Sequence, residues 1–169
     1  FLGKHESIAQ FDFIKDQVIT VNGVSKGYAM TGWRIGYIGA PKWIADACIK
    51  MQGQFTSGTC SIAQKAAQAA LESDPSVVNE MKAAFEKRRA LVLNLMSEIP
   101  GLKLNEPKGA FYVFPDVTAY FGKTDGTTII NNATDLTMFL LDKGLVALVT
   151  GEAFVTLIVF VFLMQQQTK

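Results

Sequence analysis

Residues 21–40 read VNGVSKGYAMTGWRIGYIGA, and this stretch decides how the rest of the chain is read. It opens on the end of a β-branched run, Val18 to Val21 (VITV), that meets Asn22-Gly23. That is the pattern of a strand entering a turn. It closes on Arg34 to Ala40 (RIGYIGA), a second strand-like run in which Gly36 and Gly39 allow close backbone approach. Between the runs, Lys26 stands eight residues before Arg34, with Ser25 beside it and glycines at 23, 27, 32, 36 and 39. A lysine held in a tight turn, followed by an arginine able to reach the same pocket, suits a ligand with both an aldehyde and a phosphate. The glycine order G-x-x-x-G-x-x-G matches no nucleotide fingerprint, so backbone freedom explains these glycines better.

Downstream, Pro41 stands where a helix begins, and Ile44, Ala47, Cys48 and Met51 follow at helical spacing as its apolar face. Gln52 to Cys60 (QGQFTSGTC) reads as a loop, and alanine-rich Ser61 to Leu71 as a helix. Asp74-Pro75 opens a long helix carrying Val77, Val78, Met81, Ala84, Phe85, Arg88, Leu91, Val92, Leu95 and Ile99, and Pro100-Gly101 ends it. Gly109 to Phe114 (GAFYVF) reads as an aromatic strand. Asn131 to Lys143 reads as a helix closed by Gly144, and Leu145 to Val149 as a short strand. Strands alternate with helices up to about Leu71, an α/β pattern, and a smaller α+β unit follows. The boundary falls inside the long helix, near Pro75 to Phe85.

The 169 residues are 49% hydrophobic and 18% charged, with a formal net charge of +1. This fits a globular chain with a core and argues against nucleic-acid or anionic-membrane partners. Lys87, Arg88 and Arg89 form a short basic run with no interleaved stacking aromatics, which reads as a solvated helix face. Cys48 and Cys60 have no metal-ligand spacing and read as buried free thiols in a reducing cytoplasm. The single histidine, His5, excludes a histidine metal site or a Ser-His triad. The chain opens on Phe1 without a signal-peptide pattern, and this end reads as cut from a longer chain.

The whole pattern SKGYAMTGWRIG (Ser25 to Gly36) resembles the active-site signature of the class I/II aminotransferases, in the aspartate aminotransferase-like branch. GQFTSG with SIAQKAA, and PKGAFYVFP, extend the resemblance from about Lys4 to Phe154. The resemblance implies pyridoxal 5'-phosphate as cofactor. It implies amino transfer between an aspartate-like α-amino acid and a 2-oxo acid, and a homodimer with active sites at the subunit interface. It implies the C-terminal part of the large domain of a fold-type I enzyme over 1–80, a small α+β domain over 81–154, and a divergent apolar tail over 155–169. Carried over by position, Lys26 is the Schiff-base lysine and Arg34 the phosphate-binding arginine; Ser25, beside the lysine, ranks below Arg34 as a phosphate donor. The chemistry fits these types: the amine must be unprotonated to attack, and a guanidinium holds a phosphate bidentately at any working pH. Thr56 and Ser57 either face a partner subunit's active site or form an ordinary solvated loop. Phe111 and Tyr112 read as core packing rather than cleft lining.

The chain also departs from that family. The upstream half, with the carboxylate that pairs with the pyridine nitrogen, is missing. No arginine follows Arg89, so the family's downstream anchor for a substrate carboxylate is missing too. Ala153 to Met164 is a 12-residue, almost unbroken apolar run, shorter than the roughly 18 residues a membrane-spanning helix needs. Its Val, Ile and Phe content favours a strand, and a changed reading frame or a truncated, joined gene accounts for it. Two further readings stand beside amino transfer: a lyase or decarboxylase on the same scaffold, and a non-catalytic remnant that folds or dimerises without turnover.

Overall fold

The computed structural model describes residues 3–154 and the strand at 160–163. The described chain gathers into two compact units. One runs from Lys4 to Met81, and the other comprises Gly3 and the chain from Lys82 on.

In the Lys4–Met81 unit, two short 3-10 turns, Ile8–Gln10 and Asp12–Gln17, lead into strand β1, Thr20–Gly23. Strand β2, Gly36–Gly39, pairs with it antiparallel, from Thr20 opposite Gly39 to Gly23 opposite Gly36. Strand β1 lies two residues later than the sequence pattern suggests and takes in Asn22-Gly23, expected as a turn, while β2 is shorter than Arg34 to Ala40. Val18 is held back because its N–H closes the preceding turn on the Lys15 carbonyl at 3.4 Å. Arg34 is excluded because its φ of 54° is left-handed, a conformation no strand accommodates. Gly23 sits in a close approach: a Cβ there would meet the Ile35 carbonyl oxygen at 3.1 Å, so a side chain would push the facing backbone back by a few tenths of an ångström.

Helix α1, Lys42–Phe55, begins on the Pro41 carbonyl, which accepts from Ile44 and Ala45. It overruns the expected loop, since Gln52 and Gln54 are good helix formers. The loop proper spans 56–60, with Ser57 at φ 61°. Helix α2, Ser61–Glu72, buries Ala63 and Ala67 against Val24 and Ile35, with Tyr28 and Met30 packed on the same cluster. Small side chains at i and i+4 let the helix lie close to the loop feet. The two thiols are free but exposed, contrary to the buried reading. Cys48 lies on α1, none of whose residues is buried, and Cys60 lies in the loop before α2.

Helix α3, Ser76–Ser97, starts where Asp74 Oδ1 accepts from the Ser76 N–H at 2.7 Å. Within the second unit, Lys87 is exposed, but Arg88 and Arg89 are half-buried, which corrects the solvated-face reading. Arg88 lies 5.3 Å from the Phe85 ring centroid, a cation–π arrangement. Arg89 donates to the Pro107 carbonyl at 2.7 Å and pairs with Glu106 at 2.8 Å, tying α3 to the following loop.

Strand β3 is only Tyr112–Val113. Ala110 at φ 58° interrupts the expected run before it, and Pro115, lacking an N–H, lies two residues beyond it. Helix α4, Ala133–Gly144, is capped by Asn132 Oδ1, which accepts from the Asp135 N–H at 2.8 Å; Asp135 in turn accepts from the Asn131 N–H at 2.9 Å. Strand β4 is Val149–Thr150, shorter and later than expected. Leu145 is left-handed, and the Val146 N–H returns to the Leu140 carbonyl, so the helix exit consumes those residues. Strand β5, Phe160–Leu163, lies between β3 and β4 and pairs antiparallel with both. The rest of the apolar tail lies outside the described residues. Among the described residues, no helix is long and apolar enough to cross a membrane. The core of this unit is Val117, Ile130, Ala133 and Leu136, flanked by Leu102, Tyr120, Phe139 and Leu148.

Gly101 has φ +87°, and a Cβ there would meet the Ala119 Cβ at 3.1 Å. Gly101→Ala is expected to destabilise by about 1–2 kcal/mol, the usual cost of a left-handed alanine; an unchanged urea midpoint would refute the turn geometry. Asp125 accepts from the Thr128 N–H at 2.8 Å, the Thr127 N–H at 2.9 Å and the Thr127 hydroxyl at 2.8 Å. These bonds, the Thr128 N–H first, pull its pKa down to about 2. The unfolded value is near 3.9, so the turn's contribution to stability is complete above that pH and is lost as pH falls through about 2. An NMR titration of the Asp125 carboxyl should find that midpoint, and one near 4 would contradict it.

Candidate functional site

The site is a loop closed at its base. The last pair of the β1–β2 ladder, Gly23 opposite Gly36, brings the two arms together. One residue farther out on each arm, Val24 and Ile35 are both buried in the cluster with Ala63 and Ala67. Ser25 and Arg34 are the next residues along, so they leave the same apolar base from opposite arms. Tyr28 and Met30 pack back on that cluster and pin the middle of the loop. Lys26 lies in the turn over 25–28, where the Tyr28 N–H reaches the Val24 carbonyl and the Ala29 N–H reaches the Lys26 carbonyl, each at 3.3 Å.

Two non-glycine residues here are left-handed, Ala29 and Arg34, both at φ 54°. Such residues cost on the order of 1 kcal/mol each and persist where surrounding structure over-determines them. At Arg34 the conformation turns the side chain back on its own loop, where Nη1 donates to the Thr31 carbonyl at 2.9 Å. The sequence analysis had no role for Thr31. Its i−3 position in the 3-10 turn Thr31–Trp33 is the local signal, but the acceptor is backbone and any residue type supplies it.

The donor set suits an anion. The guanidinium carries five N–H donors, and among the described residues Arg34 commits only its bond to Thr31. Ser25 is half-buried, and its hydroxyl makes no hydrogen bond among the described residues. Residues 21–40 contain no Asp or Glu, so no carboxylate of the loop repels a phosphate. Lys26 and Arg34 are both exposed.

Other expected positions fall elsewhere. Ser57 lines a 980 Å³ groove with Val21, Tyr37, Ile38 and Ile49, and this groove does not include Ser25, Lys26 or Arg34. Thr56 lines a separate trough with Ile19 and Trp43 and accepts from Gln52 Nε2 at 2.5 Å. Phe111 is half-buried and lies against Phe85 and Tyr112 at ring-centroid distances of 5.9 and 4.6 Å, in line with a packing role, whereas Tyr112 is 38% exposed on the strand's outer face, which corrects its core reading. Among the described residues no cluster of His, Cys, Asp and Glu could hold a metal ion.

The chain is similar to known proteins over most of its length. The sequence model of the family aminotransferase class I and II matches residues 3–158. The chain is 49% identical over 154 residues to a bifunctional aspartate aminotransferase and glutamate/aspartate-prephenate aminotransferase of Petunia hybrida, covering 89% of this chain and 32% of that protein. It is 43% identical to an aspartate aminotransferase of Pinus pinaster, with the same coverage. The crystal structure of the Rhizobium meliloti aspartate aminotransferase superposes with a TM-score of 0.90 at 39% identity, over 95% of this chain and 41% of that one. An aromatic aminotransferase from Pyrococcus horikoshii superposes at 0.82 and 35% identity, with 95% and 41% coverage. The chain thus spans about a third of the length of the curated relatives it matches. With the family pattern matched over nearly its whole length, the chain belongs to the class I and II aminotransferases.

Proposed function

We propose that this chain carries the cofactor-attachment loop of a pyridoxal-phosphate-dependent aminotransferase, acting between an aspartate-like amino acid and a 2-oxo acid. The observation that carries this reading is the shared base of Val24 and Ile35, from which Ser25, Lys26 and Arg34 emerge together. Pyridoxal phosphate, when bound, supplies an aldehyde for amines and a ring that takes up the electrons of a breaking α-carbon bond.

In this reading Lys26 Nζ is the point of covalent attachment. Once released by an incoming amino acid, the same nitrogen takes the proton from the substrate α-carbon and delivers it onward. Arg34 holds the phosphate through the donors that Thr31 leaves open, and Ser25 adds a hydroxyl. Tyr28 and Met30, fixed on the core, keep the turn from following the lysine as it moves. On the same reading, residues 1–80 are the end of the large domain, 81–154 the small domain and 155–169 a divergent tail. The whole enzyme is a cytoplasmic homodimer.

A second reading is favoured by the openness of the loop, with Lys26 and Arg34 both exposed: a remnant that folds without turnover. One experiment separates the two. The purified chain is titrated with pyridoxal phosphate, followed by absorbance, then reduced with borohydride and peptide-mapped. The aminotransferase reading requires one adduct, at Lys26, absent in Lys26→Ala. Arg34→Gln should weaken binding roughly 10- to 100-fold, matching the loss of a charge-assisted hydrogen bond of about 1.5–3 kcal/mol. Adducts scattered over surface lysines would establish the remnant reading instead.

A further inference from the structure

One asparagine and one aspartate of this chain precede a glycine, in Asn22-Gly23 and Asp125-Gly126, and their surroundings are opposite. Glycine has no side chain to hinder its nitrogen from reaching the preceding carboxamide or carboxyl carbon. These are therefore the two places best suited to closing a succinimide ring on the main chain. Asn22 is exposed near the end of β1, and its Oδ1 accepts from the Gly23 N–H at 2.7 Å. The carboxamide is thus folded onto the nitrogen that would attack it, since Cγ is bonded to that same Oδ1. Asn22 also lines the 980 Å³ groove with Gly36 and Tyr37, so water reaches the site.

Asp125 has the contrary arrangement. Its Oδ1 accepts from the Thr127 N–H, the Thr127 hydroxyl and the Thr128 N–H at 2.8 or 2.9 Å. Those bonds favour the carboxylate, whose oxygen is a poor leaving group. The Gly126 N–H is engaged elsewhere, on the Thr124 hydroxyl at 3.0 Å.

We propose that Asn22 is a self-modification site, where the Gly23 nitrogen attacks the Asn22 carboxamide and the product opens to aspartate and isoaspartate, while Asp125-Gly126 stays intact in the folded chain. The Gly23 nitrogen gives its proton to a solvent base and bonds to Asn22 Cγ. The Cγ–Nδ2 bond breaks, and Nδ2 takes a proton from solvent and leaves as ammonia. Water then opens the ring. Opening at Cγ leaves aspartate in an unaltered main chain. Opening at the main-chain carbonyl leaves isoaspartate, with the chain routed through the side-chain carbons and longer by a methylene. Nothing is oxidised or reduced. Either product gives residues 21–40 their first carboxylate. Isoaspartate also disturbs the last rung of the ladder, Gly23 opposite Gly36, from which Ser25 and Arg34 are set. The inference rests on bond geometry and is independent of the chemistry at Lys26.

The test is incubation of the purified full chain in mildly alkaline buffer, without cofactor, followed by peptide mapping with mass spectrometry. Isoaspartate is read by methyl transfer from S-adenosylmethionine, catalysed by an isoaspartyl methyltransferase. A parallel sample is held unfolded in guanidinium chloride. Residue 22 is expected to convert in the folded chain at least as fast as in the unfolded one, to both products. Asp125 is expected to yield isoaspartate only when unfolded. Asn22→Gln, which would have to close a larger and slower ring, should keep the circular dichroism of the chain and lose the methyl-accepting signal of the folded state. Three outcomes overturn the inference: slower conversion of residue 22 in the folded chain, which would mean that the ladder protects it; conversion of Asp125 in the folded chain as fast as that of Asn22; or methyl acceptance by the folded chain that survives Asn22→Gln.

Discussion

Everything near the candidate site depends on the joint burial of Val24 and Ile35 on the alanine face of α2. The β1–β2 ladder ends one residue short of them, at Gly23 and Gly36, and glycine at 23 lets the Ile35 carbonyl come close. Ala63 and Ala67 let the helix come close enough to seal the pair. Without that seal, Ser25 and Arg34 would be joined only through the ladder that ends at Gly23 and Gly36. With it, the intervening residues close on a fixed base, and the left-handed residues Ala29 and Arg34 are held against their own preference. The apolar contact sets the geometry, and the polar groups inherit it.

The loop between the two strands was legible because its signal is a combination of residue types at fixed spacing. Lys26, Arg34, the flanking strand runs and the glycines all lie between Val18 and Ala40, and each constrains the reading of the others. The acceptor on Thr31 was invisible because a backbone carbonyl has no residue type. Helix existence was equally legible from period and capping: all four helices lie where the pattern places them. Strand limits were not. In each case a left-handed or turn residue cut the strand, as at Arg34, Ala110 and Leu145, and side-chain alternation carries no record of φ.

Burial was the weakest part of the sequence reading, for a physical reason. Periodicity identifies which face of a helix is apolar, not whether anything covers it. The stripe on α1 is real and exposed; Cys48 was assigned to an interior that the described chain does not build. Arg88 and Arg89 show the converse error. Their charges suggested water, but a ring face and a carbonyl–carboxylate pair receive them, because a guanidinium is weakly hydrated and planar.

The strand order β3-β5-β4 has a consequence for how the second unit comes into being. The two outer strands do not touch each other; each is joined to the sheet only through Phe160–Leu163, which the ribosome makes after both. While synthesis is passing through α4, neither short strand has a partner, and the helical core around Leu136 has no sheet beside it. Assembly of this half therefore waits on a segment more than 40 residues downstream of its first strand, a large loop-closure step. A substitution within Phe160–Leu163 therefore acts first on the rate of that step.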